Sequence, residues 1–186
     1  MDTKRRVLLR TALAIAGATL LTGHSPYRQW YAFRAKHWLI VAAHDDAQAS
    51  RLADAVSALL ATRLPQSQAM AAEAENERDA VQLLRTHQLE LAIVRIGAAN
   101  DAFYGSGEFR RDGPVPLRAV APFGPHLLVA LEDYSSEKAE EIAAALAGFR
   151  WDDGAVPADG SKPESKVPLH SGAIQYKQAR DSKTGQ

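Results

Sequence analysis

The 186-residue chain carries 22 basic and 22 acidic side chains, no cysteine, and 46% hydrophobic residues, enough apolar material for one sizeable core. Without cysteine there is no disulfide scaffold, thiolate metal site or cysteine nucleophile, and zero net charge argues against nucleic acid as a partner. The zero conceals unlike parts: residues 1–36 hold seven Lys/Arg against one Asp, residues 37–149 nine against sixteen acidic, and residues 150–186 six against five.

The basic leader reads as an export segment. Lys4, Arg5, Arg6 and Arg10 precede an uncharged, mostly apolar run over residues 12–22, the length of a signal-peptide core and short for a membrane span. Arg5-Arg6-Val7-Leu8-Leu9 resembles a twin-arginine signal. Leu21 and Gly23 fit a cleavage site poorly and Pro26 blocks cutting after Ser25, so the alternative to cleavage is an N-terminal apolar helix retained as a membrane anchor. Tyr27, Arg28, Trp30, Tyr31, Phe33, Arg34, Lys36 and Trp38 then form an aromatic and basic stretch, suited either to a headgroup belt or to packing on the domain itself. The expected location is the periplasm, free or anchored at the inner membrane.

In the body, residues 37–43 (HWLIVAA) form an apolar run that predicts a strand buried on both faces. Asp45 or Asp46 caps a helix carrying Leu52, Val56, Leu59, Leu60 and Arg63 at helical spacing, ended by Leu64-Pro65. A weak strand is expected near residues 68–72, a helix over 76–86 with Ala80, Val81 and Leu84 inward, and a strong strand over 89–96. Apolar runs at 117–122 and 126–131 flank Phe123-Gly124-Pro125. A helix opening at Ser135 or Ser136 presents Ile142, Ala145, Leu146 and Phe149. Residues 151–171 read as loop, 172–180 as a short helix and 181–186 as a disordered tail. The expected domains are therefore a leader over 1–36, an α/β lobe over 37–150 and a C-terminal extension over 151–186. Strand–helix alternation implies a mainly parallel sheet with helices on both faces, and ligands on such sheets bind beyond the carboxyl ends of the strands.

No catalytic spacing is present: there is no Gly-x-Ser-x-Gly elbow, P-loop or His-Glu-x-x-His, and no histidines stand at metal-ligand spacing. The chain is read as a non-enzyme with no cofactor or metal. His44-Asp45-Asp46 is either a polar ligand contact or a helix cap with solvated neighbours. Arg95, ending an apolar strand, either holds a ligand carboxylate bidentately or pairs with Glu75 or Asp101.

Six stretches, in order, resemble the TAXI-type solute receptors of TRAP transporters, which are periplasmic-binding-protein-like. They are Leu60-Ala61-Thr62-Arg63-Leu64-Pro65, Glu75-Asn76, Leu89-Glu90-Leu91-Ala92-Ile93-Val94-Arg95, the Tyr/Gly-rich segment 101–109, Pro116-Leu117-Arg118-Ala119-Val120-Ala121-Pro122-Phe123, and Val167-Pro168-Leu169-His170-Ser171-Gly172-Ala173 before Tyr176. The resemblance implies a receptor that captures a small organic acid, a dicarboxylate or amino acid, and delivers it to a TRAP-type membrane permease. Asn76 and Arg95 would hold the ligand's polar ends, Tyr104 and Phe123 would flank its carbon skeleton, and His44 and His126 would complete the site. The departures are the family's second lobe, which has no counterpart here, and its glycine-rich first loop, replaced by Ala42-Ala43-His44-Asp45-Asp46. The expectation is thus a single receptor-like lobe for solute capture. The alternative is a degenerate lobe serving as an envelope interaction or sensory module.

Overall fold

The computed structural model describes residues 33, 34, 36–151 and 164–184. The expected apolar leader helix lies outside the described residues, among which no helix is long and apolar enough to cross a membrane. The fold below belongs to the unit that begins at Lys36.

The elements run β1 (Leu39–Ala43), α1 (Ala47–Arg63), β2 (Met70–Ala74), α2 (Glu77–Arg85), β3 (Leu91–Arg95), α3 (Ile96–Tyr104), β4 (Leu117–Phe123), β5 (His126–Leu131), α4 (Ser136–Ala145) and α5 (Ser171–Thr184). They build an α/β fold on one five-stranded sheet in the order β2-β1-β3-β5-β4. Strand β1 pairs in parallel with β2 and β3, whereas β5 is antiparallel to both β3 and β4. The sheet is therefore mixed, where the sequence reading expected it mainly parallel. The reason is local: only Gly124 and Pro125 separate β4 from β5, and so short a link permits only an antiparallel return. Gly124 supplies the positive φ, 60°, that such a turn needs.

Alternate side chains along the strands divide the core in two. Leu39, Val41, Ala92, Val94, Leu127 and Val129 meet Ala80, Val81 and Leu84 of α2 and Ile96, Ala99 and Ala102 of α3. Ile40, Ala42, Leu91, Ile93, Leu128 and Ala130 meet Leu52, Val56 and Leu60 of α1 and Ile142 of α4. Central strands so covered on both faces must be apolar throughout, as the unbroken runs in β1 and β3 are. In β4 the pairing register shifts between Ala119 and Ala121, and the alternation breaks there too: Ala119 faces the first cluster, Val120 and Ala121 the second.

Two boundaries differ from expectation. Residue 96, expected to end the strand, and residues 97–104, for which no element was expected, form α3, which follows β3 without any side-chain cap and ends at Gly105 with φ 65°. A helix that abuts its strand presents no capping residue to read. The expected disordered tail is also helical as far as Thr184. This terminal helix starts from residues that join the sheet: Leu169 bridges Ala119, with the Ala119 N–H on the Pro168 carbonyl and the His170 N–H on the Ala119 carbonyl, both 2.8 Å.

Candidate functional site

Strand order places a crevice where the chain reverses its winding. From β1 the chain winds outward to β2, then crosses to β3 on the other side of β1. The helices that follow β1 and β3 lie on opposite faces, so the connections leaving the carboxyl ends of these two paired strands part from each other. Because β5 runs backwards, its first residue, His126, lies opposite Arg95, the last residue of β3.

Asp46 is the hub of this crevice. It caps α1, its Oδ1 accepting the backbone N–H groups of Gln48 and Ala49 at 3.0 Å each. Its Oδ2 lies 3.0 Å from His126 Nε2 and 3.6 Å from Arg95 Nε. Burial alone would raise the Asp46 carboxyl. The hydrogen bonds from His126 and Ala49, with the nearby His126 and Arg95 charges, outweigh it and hold the group below its ordinary range. Against an ionised Asp46, Nε2 of the fully buried His126 carries the proton. Its Nδ1 is buried without a hydrogen-bond partner.

Arg95 meets a second carboxylate. Glu77, the first residue of α2, accepts from Arg95 Nε at 3.0 Å and Nη2 at 2.7 Å through Oε2, and from the Arg95 backbone N–H at 2.7 Å through Oε1. The Glu77 side chain is 6% exposed and that of Arg95 58%. These bonds, aided by the charges of Glu77, Asp46 and Asp45, raise the guanidinium pKa further above its ordinary value despite partial burial. Arg95 thus forms a salt bridge, but with Glu77 and Asp46, not with Glu75 or Asp101. Sequence reasoning missed Glu77 because an acidic residue in a helix's first turn is explained by the helix dipole alone. The signal that could have found it is position: the ends of adjacent strands β1 and β3 share one crevice with the start of α2.

An open cleft of about 400 Å³ lies beside this pair, lined by Glu77, Arg95, Gly97, Ala98, Asp101, Glu108 and Pro125. The remaining expected site residues stand elsewhere. Asn76 spends its side chain capping α2, with Oδ1 on the Asp79 N–H at 2.9 Å and Nδ2 on the Asp79 carboxylate at 3.1 Å. Phe123 is buried in the α1/α4 half of the core, edge-on to Phe149. Tyr104, 60% exposed at the end of α3, packs edge-on to Phe103. His44 is exposed, 3.4 Å from Glu73. Only Arg95 and His126 converge, through Asp46.

The cluster offers an ion-paired guanidinium, a capped carboxylate and a buried imidazole, groups suited to holding a polar or anionic partner. Among the described residues no group of three or more His, Asp or Glu side chains could hold a metal ion. No protein-family model matches this chain, and no curated protein matches it either.

Proposed function

We propose that this chain is a receptor-derived, one-lobed domain of the TAXI type, exported to the periplasm and acting there as an envelope interaction or sensory module. The observation that carries the reading is the dispersal of the expected ligand contacts. Phe123 belongs to the core, Asn76 to a helix cap, and Tyr104 and His44 to the outer surface. Small-molecule sites bury most of their ligand between walls, and the cleft beside Arg95 is open. Its lining holds Glu77, Asp101 and Glu108 against one arginine, an unfavourable field for a dicarboxylate.

The second reading is capture of an organic acid for a TRAP-type permease. It is supported by the exposure of Arg95, which leaves part of the guanidinium facing the cleft. Thermal unfolding of the full chain against dicarboxylates and amino acids separates the two. The module reading expects no saturable shift across the panel; a shift that Arg95→Ala abolishes replaces it with capture.

A further inference from the structure

The contact between Glu77 and Arg95 has the form of a bound ligand. One carboxylate receives three N–H donors: Nε and Nη2 on one edge of the guanidinium, and the backbone N–H of the same arginine. Charge-assisted hydrogen bonds and main-chain donors arranged this way are how a protein holds a carboxylate. Here the carboxylate belongs to the chain, is nearly inaccessible, and lies beneath an arginine more than half exposed. The space in front of it is open: nothing lies within 4 Å of the point where a Cβ on Gly97 would stand, and Gly97, Ala98 and Pro125 form the adjoining cleft wall.

We propose that Arg95 and its backbone N–H form a carboxylate-binding subsite which Glu77 fills from within. The side chain of Glu77 is an internal stand-in for the carboxylate of a small organic acid. While it is in place, an outside carboxylate must either displace it or meet an arginine already neutralised by Glu77 and approached by Asp46 at 3.6 Å. Without it, Arg95 keeps its position at the end of β3, tied to the sheet through the His126 register and through the Ile96 N–H on the Pro125 carbonyl at 2.8 Å. The vacated space then adjoins the open cleft, and a free carboxylate of acetate size can take the three donors. The proposal deepens the preceding reading, since it concerns the same crevice and explains why the intact chain would be silent to acids.

Chemical rescue tests it. The full chain, Glu77→Ala, and Glu77→Ala combined with Arg95→Ala are unfolded thermally in sodium acetate and, at equal ionic strength, in sodium chloride. Glu77→Ala should unfold at lower temperature than the intact chain and recover saturably, by ~3–6 °C, in tens of millimolar acetate. Neither the intact chain nor the double variant should respond to acetate beyond the chloride control. The proposal is overturned when acetate does no more than chloride for Glu77→Ala, or does as much for the double variant. Should Glu77→Ala not fold in chloride, circular dichroism of the same variant refolded in acetate decides by the same criterion: folding that acetate restores saturably and that is lost with Arg95→Ala supports it, and its absence overturns it. A wrong module reading shows itself separately, as solute binding to the intact chain.

Discussion

At the scale of residues, Asp46 does three things with one carboxylate, and its removal should be felt in all of them. Asp46→Ala loses the α1 cap, leaves the buried His126 Nε2 without its acceptor and strips Arg95 of a neighbouring charge. The expected loss is about 2–4 kcal/mol in denaturant unfolding, above the ~1 kcal/mol of an isolated cap, because a buried donor is left unsatisfied. Its pKa adds a pH dependence. Since the folded pKa lies below the ordinary 3.8, the unfolded chain binds the proton first. The contribution is therefore complete above that value and is lost as pH falls through the lower, folded one. His170 acts in a different window. Its ring is fully buried; burial, with the Arg118 charge, lowers its pKa from the ordinary 6.5 against the opposing influence of the Tyr134 backbone. Stability should hold above pH 6.5 and decline below it, as the unfolded imidazole takes the proton that the folded one resists. Comparing the pH profiles of the intact chain and His170→Gln checks this: the variant should lack the decline that begins near pH 6.5.

Among the elements, the terminal motif Leu169-His170-Ser171-Gly172-Ala173 has a structural explanation independent of any ligand. His170 starts α5, its carbonyl accepting from Ile174 and its Nδ1 from the Gly172 N–H at 3.2 Å. Gly172 crosses α4 so closely that a Cβ would stand 2.0 Å from the Ser136 carbonyl oxygen and 2.6 Å from the Glu140 nitrogen. Both are backbone atoms, so neither can swing aside. Gly172→Ala should cost about 2–4 kcal/mol. It should also free α5 from the body, read as new proteolytic cleavage after residue 164. Arg63, in the Leu60–Pro65 stretch that carried part of the resemblance, likewise has a helix to hold. Its Nη1 donates to the Ala145 carbonyl and, at 3.1 Å, to that of Ala147, closing the end of α4 from α1. Arg63→Ala should lower stability by about 1–2 kcal/mol without changing the sheet, checked by unfolding midpoint against circular dichroism.

For the molecule as a whole, the sheet order predicts the pattern of amide exchange. Strands β1, β3 and β5 each have a neighbour on both sides, and their amides should exchange by global opening, whereas β2 at the edge and residues 177–183 of α5 should exchange orders of magnitude faster. Uniform protection across β2 would contradict the edge assignment. Much of the architecture was legible in local pattern: apolar runs marked β1, β3 and β5, helical spacing marked α1, α2 and α4, and the pairs Asp45-Asp46 and Ser135-Ser136 marked two helix starts, the structure choosing Asp46 and Ser135 as the caps. Helix α3 escaped because it follows β3 without a cap, and the reversal of β5 was implicit in a two-residue link that strand counting overlooked. In the crevice, Arg95 was found and its partner was not. That asymmetry has a physical cause. A charge at the end of an apolar strand conflicts with its surroundings and so stands out, whereas Glu77 sits where any helix welcomes an acid. The sequence alone thus determined the segmentation of the body, its acidic charge beside a basic first 36 residues, and the strand ends where chemistry could gather, because these depend on neighbours along the chain. Only the tertiary structure decided that Arg95 meets Glu77 and Asp46 rather than Glu75 or Asp101, and that Phe123 turns into the core. Those contacts depend on which strands lie side by side and which face each residue takes, and a one-residue change of register would alter them all.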